Sequence, residues 1–185
     1  MMFAEFLKKI IWPLEQIDDS LPAKGRIYDL GCGEGIIAKY LARKKGERKV
    51  IGVDSDKDRL PKTSSKKLIF KTGDINTFNI KNADGVVISD VLHHIVLEKQ
   101  KKILNNVYIH LKKNGVLTVK EIDKEEFVRS KLSRLWDWVH YPHDKISYWN
   151  SHDLKKFLTR LGFDVNIKRV SRLFPGSTTL FICKK

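Results

Sequence analysis

The sequence predicts an α/β fold, an open and mostly parallel sheet with helices on both faces and an antiparallel hairpin at its end. Three observations lead there. Short apolar runs of strand length alternate with segments of helical periodicity between residues 26 and 122. The first run, 26–30, turns through Gly31, Gly33 and Gly35 directly into a helical pattern that places Ile36, Ile37, Tyr40 and Leu41 on one face. Two later strand-like runs, 163–170 and 178–183, flank Pro175-Gly176 and read as a hairpin. At 185 residues the chain suits one domain, 1–185, whose core can carry a helical layer on each side.

Taken in order, residues 1–22 open the chain with Phe3, Phe6, Leu7, Ile10, Ile11 and Leu14 on one helical face, opposite Lys8 and Lys9. Pro13 and Pro22 limit how far that amphipathic helix runs. The helix after the glycine turn reaches about residue 45, and a second strand is expected at 49–54, ending on Asp54. Pro61 and two serines leave room only for a short helix within 56–66. A third strand at 68–72 leads to Gly73-Asp74-Ile75, and a fourth at 85–89 is apolar throughout, as a central parallel strand should be. It runs into Ser89-Asp90-Val91-Leu92-His93-His94. A helix over 97–112 buries Ile103, Leu104, Val107 and Leu111, Asn114-Gly115 stops it, and a fifth strand follows at 116–122. An aromatic insertion, 123–150, precedes a helix that Ser151 caps and Gly162 ends.

The stretch 27–42, IYDLGCGEGIIAKYLA, organises the rest. Glycines suit a turn that needs positive φ and a backbone bare enough for a ligand to approach. The new helix offers N–H groups and its positive dipole end to a ligand's negative end. Asp29, just before the turn, is instead an anion suited to a cationic ligand group. Asp54, at the end of the next strand, lies at a distance from the glycines that suits a carboxylate accepting from ribose hydroxyls.

The motif D-x-G-x-G-x-G, with Ile36 where a dinucleotide fingerprint has its last glycine, resembles that of the class I S-adenosylmethionine-dependent methyltransferases. With the order of elements, the resemblance covers nearly the whole chain. It implies a Rossmann-like sheet of seven strands, the closing hairpin supplying the reversed strand, and S-adenosyl-L-methionine as cofactor. Carried over position by position, it implies cofactor contacts from Asp29, Gly31, Cys32, Gly33 and Gly35, from Asp54 and Ser55, from Asp74 and Ile75 around the adenine, and from Ser89. The D-x-L-H-H segment, Asp90 to His94, is similar to one frequent in small-molecule methyltransferases. It also implies that the N-terminal helix packs across the substrate mouth; a basic amphipathic helix could instead lie on a membrane surface. The insertion 123–150 is expected to be lid-like.

A sulfonium methyl is already activated, so the protein mainly aligns the nucleophile and excludes water. A base is needed only when the acceptor carries a proton at working pH. His93, held by a central strand, is the first candidate, with Asp90 beside it and His143 from the insertion. His94 and His140 are weaker candidates.

The formal charge is +14, from 36 Lys and Arg against 22 Asp and Glu. Such a surface attracts nucleic acid or an anionic membrane, although lysine-rich helix faces also give it without any partner. No Asp- or Asn-Pro-Pro-Tyr follows strand four, and neither Cys32 nor Cys183 follows strand four or five. Those features would accompany methylation of base amines and of pyrimidine carbon five. A small-molecule or lipid-like acceptor is therefore expected ahead of RNA or protein. No metal site, export signal or membrane span is expected, and the cytosol is the default location.

Overall fold

The computed structural model describes residues 13–44, 46–122, 147–171 and 178–185. Seven strands form one sheet: β1 Lys24–Leu30, β2 Glu47–Asp54, β3 Leu68–Thr72, β4 Ala83–Ser89, β5 Leu111–Ile122, β6 Asp164–Ser171 and β7 Thr178–Lys184. Their order is β3-β2-β1-β4-β5-β7-β6. The first five run parallel, while β7 pairs antiparallel with both β5 and β6. The chain leaves β1 toward β2 on one side and returns to β4 on the other. That reversal opens a crevice beyond the carboxyl ends of β1 and β4, where open parallel sheets bind ligands.

Alternation along the strands divides the core. Helices α1 Leu14–Ser20 and α2 Ile36–Arg43 bring Ile17, Ile37, Ala38 and Leu41 onto Ile27, Val50, Val87 and Leu180. The opposite face receives α3 Leu97–His110 and α4 Ser151–Leu161, whose Ile103, Leu104, Val107, Leu154 and Leu158 cover Leu30, Val53, Val86, Ile88 and Phe181. Each fully buried aliphatic side chain contributes roughly 1.5–3 kcal/mol, and this two-sided burial holds the strand ends in register.

Several sequence expectations change. No helix forms within 56–66: Asp56 accepts from the Asp58 N–H at 2.9 Å and the Ser65 hydroxyl accepts from the Leu68 N–H at 3.1 Å, so side-chain turns take over around Pro61. Helix α3 ends at His110 and β5 begins at Leu111, earlier than expected. Asn114 sits inside that strand at φ +64°, next to a register shift of β4 against β5, instead of ending a helix. Asn150, not Ser151, caps α4 by accepting from the His152 N–H at 2.8 Å. Helix α1 is core, with Ile17 completely buried and the Ser20 hydroxyl 2.7 Å from that of Thr118. The remainder of the amphipathic stretch, the insertion up to residue 146, His140 and His143 lie outside the described residues.

Candidate active site

The crevice is a cleft of about 780 Å³ between the ends of β1, β2 and β4 and the loops that follow them. Its two halves are built differently.

The half over β1 and β2 is built from backbone. Gly31, Gly33 and Gly35 all take positive φ, +74°, +49° and +70°. A methyl group on Gly31 would lie 2.4 Å from Val91, and one on Gly35 2.5 Å from the Phe70 ring. The turn is locked to its neighbour strand, because the Gly31 and Cys32 N–H groups both donate to the Val53 carbonyl, at 2.7 and 3.0 Å. Asp54, buried at the tip of β2, accepts from the Gly33 N–H at 2.7 Å and the Asp56 N–H at 3.0 Å. It thus faces the turn as the spacing requires, and Ser55 lines the cleft beside it.

Asp29 lies deeper than expected. It is 2 % exposed, and one oxygen accepts from the Ala38 N–H at 3.0 Å. Burial pushes its carboxyl up to about 7; the Ala38 bond opposes the rise and the nearby Asp54 charge adds to it. A cationic group in the cleft would favour its ionised form. Burial, with the Asp29 and Asp54 charges, also pushes the Cys32 thiol up, which makes it a lining group and not a nucleophile.

Beyond β3, Asp74 is exposed at the rim, held below the usual carboxylate range by the backbone and side-chain N–H groups of Asn76 at 2.8 and 2.6 Å. Ile75 is a buried apolar floor. The Asn76 side-chain oxygen is buried without a partner among the described residues, on a residue that lines the cleft. A planar ligand carrying an exocyclic amine would satisfy it, at the place where the resemblance puts adenine.

The half over β4 and β5 is held by side chains. Asp90, at φ +56°, carries the Lys120 ammonium on its carboxylate and accepts from the Ser89 hydroxyl at 3.2 Å. Lys120 itself is buried. The candidate base Asp90 thus stands on the cleft wall with its carboxylate engaged by Lys120 and Ser89. The next residue along β5, Glu121, reaches the turn Leu92–His94: one oxygen accepts from the Leu92 N–H at 3.0 Å and the other lies 2.8 Å from His93 Nδ1. Both partners are buried. Glu121 therefore fixes both the backbone of the turn, at Leu92, and the ring of His93, the histidine chosen from the sequence. Sequence reasoning missed Glu121, Lys120, Asn76 and Arg59, the guanidinium beside Gly33. A charged Lys120-Glu121 pair breaking an apolar strand was the available signal for the first two.

Among the described residues acids dominate the cleft wall: Asp29, Glu34, Asp54, Asp74 and Asp90, against Arg59. A cationic cofactor is electrostatically suited to it. Among the described residues no group of three or more His, Cys, Asp or Glu could hold a metal ion.

The methyltransferase domain family matches residues 4–166. The chain belongs to that family. Its fold is the one found in S-adenosylmethionine-dependent methyltransferases. An S-adenosylmethionine-dependent methyltransferase from Archaeoglobus fulgidus matches with a TM-score of 0.71 at 21 % identity, covering 99 % of both chains. A chain from the complex between the Haloferax volcanii Trm112 methyltransferase activator and its methyltransferase gives 0.77 at 17 % identity, over 97 % of this chain and 91 % of that one. In sequence, the carboxy-S-adenosyl-L-methionine synthase of Shewanella woodyi is 28 % identical over 124 residues, which is 62 % of this chain and 50 % of that protein. The chain spans about half the length of the curated relatives it matches. S-adenosylmethionine is the cofactor the family implies, and the acid wall, the bare glycine turn and the unsatisfied Asn76 oxygen fit it. The methyltransferase sheet accounts for the whole strand order, including the reversed β7.

Proposed function

We propose that this domain transfers a methyl group to a small or lipid-like acceptor whose attacking atom carries a proton. The observation that supports this best is the buried pair of His93 and Glu121, whose His93 lines an acid-walled cleft. S-adenosylmethionine would supply a methyl group already activated on its sulfonium. Asp54 would receive the ribose hydroxyls, Asp29 would face the positive end, and Asp74, Ile75 and Asn76 would frame the adenine. Glu121 would orient the imidazole through Nδ1, and the imidazole would take the acceptor's proton. Asp90, neutralised by Lys120, holds the loop. Both cysteines are free thiols, which suits a reducing compartment, and we place the reaction in the cytosol. No helix among the described residues is long and apolar enough to cross a membrane.

The charge of +14 favours a second reading, methylation of RNA or protein. The cleft wall opposes a polyanion near the methyl group, because its charge is of the wrong sign. Turnover of S-adenosylmethionine with a metabolite pool separates the two. His93→Ala should lower kcat by a factor of about 100 to 10,000 while leaving cofactor-product affinity nearly unchanged. The rate should be flat between low and moderate salt; a steep fall, with RNA competing, would overturn the small-acceptor reading.

A further inference from the structure

Helix α3 carries a polar residue where its buried stripe should be apolar. Gln100 lies one turn before Ile103 and Leu104 on the same face and is fully buried. A buried amide is costly unless its groups are bonded. Here both ends are used, and every partner lies at the acceptor half. Its Nε2 donates to the Ile95 carbonyl at 2.6 Å and to the Ser147 carbonyl at 2.9 Å. Its Oε1 accepts from the Trp149 indole N–H. Ser147 in turn donates its backbone N–H to the His93 carbonyl at 2.8 Å. Between the two anchors, the Tyr148 ring stacks on the His93 imidazole with centroids 5.2 Å apart and planes 15° from parallel. Trp149 is seated on α4 by stacking with Phe157, centroids 5.6 Å apart.

We propose that Gln100 is a positioning residue that clamps 147–149 to the turn of His93 and so seats the Tyr148 ring on the base. Glu121 fixes the imidazole edge from β5, and Gln100, acting through Tyr148, fixes its face. The two restraints come from different elements and leave one orientation of the ring. The inference rests on the reading of His93 as the base, but the clamp is tested without turnover. A failure of the clamp is thus distinguishable from a failure of that reading.

The test uses NMR on the whole chain with selectively labelled histidine. The Tyr148→Leu variant defines the His93 ring-proton shifts with no stacked ring. Gln100→Met keeps the length and shape and removes both sets of bonds. It should carry the His93 shifts more than halfway to the Tyr148→Leu values and speed amide exchange at Ser147. Trp149→Phe removes the indole donor while keeping an aromatic ring beside Phe157, and should do the same to a smaller extent, so the idea stays open to refutation even if Gln100→Met does not fold. The double variant should shift His93 no further than Gln100→Met alone, because both changes release one clamp. A fall in melting temperature with unmoved His93 shifts and unchanged Ser147 exchange would assign Gln100 to core packing alone and overturn the proposal.

Discussion

The two halves of the cleft reach the same end, a set of groups held still, by opposite means. Over β1 and β2 the restraint is local: three positive-φ glycines, and Asp54 returning 21 residues to the Gly33 N–H. Over β4 the restraint is long-range: Glu121 holds Leu92 and His93 from 29 and 28 residues away, Lys120 holds Asp90 from 30, and Gln100 ties in Ser147 from 47. A ligand shared by a whole family can be met by a glycine turn and the few side chains it fixes, as the Gly33 N–H fixes Asp54. An acceptor particular to one enzyme needs side chains, and those must be steadied by other side chains.

The comparison breaks most visibly at Glu121. Glu121→Gln keeps an acceptor for the Leu92 N–H but loses the charge that favours the imidazolium. It should cut kcat by about 100- to 10,000-fold, while cofactor-product affinity stays within a few-fold. An equal loss in both would mean that the halves are not separate. The seam between them is Gly31, whose missing side chain makes room for Val91 of the acceptor loop. Gly31→Ala combines a left-handed conformation with a 2.4 Å clash and should destabilise the fold by about 1–3 kcal/mol, read as a lower midpoint of denaturant unfolding. Gly31→Ala with wild-type stability would show that the loop has slack the structure does not suggest.

Asp29 sharpens the comparison on a smaller scale. Its carboxyl rises from 3.8 in the unfolded chain to about 7 when buried, so the folded state holds the proton more tightly. The stability it contributes is therefore complete below about 4 and lost as pH rises through 7. Ligand binding runs the other way, since a cation favours the ionised form. Affinity for S-adenosylmethionine should improve by about tenfold between roughly pH 6 and 8 and then level off. Asp29→Asn should abolish both slopes, and calorimetry in buffers of different ionisation heat should show proton release in the wild type alone.

What was legible follows the same division. The succession of strands, the closing hairpin and the helices α2, α3 and α4 could be read because periodicity and turn residues are local signals, whereas the sheet they form came with the family resemblance. So could the glycine turn, and Asp54 and His93 as residues lining the cleft. The helix expected within 56–66 failed because Asp56 and Ser65 hold their own turns with side-chain bonds, an alternative that apolar spacing does not reveal. The Lys120 partner of Asp90, 30 residues on, is invisible to a motif. Gln100 was legible only as an anomaly, a polar residue on a buried stripe whose partners arrive from 147 and 149.

Calorimetric titration of the cofactor product into wild type, Asp54→Ala and Glu121→Gln tests the central claim most directly, that the backbone-built half binds the cofactor on its own. The account predicts micromolar-range binding to the wild type and to Glu121→Gln. For Asp54→Ala it predicts a loss of about 1–3 kcal/mol as buried partners are stranded. Binding of a nicotinamide dinucleotide in place of S-adenosylmethionine, or a loss at Glu121→Gln as large as at Asp54→Ala, would contradict it.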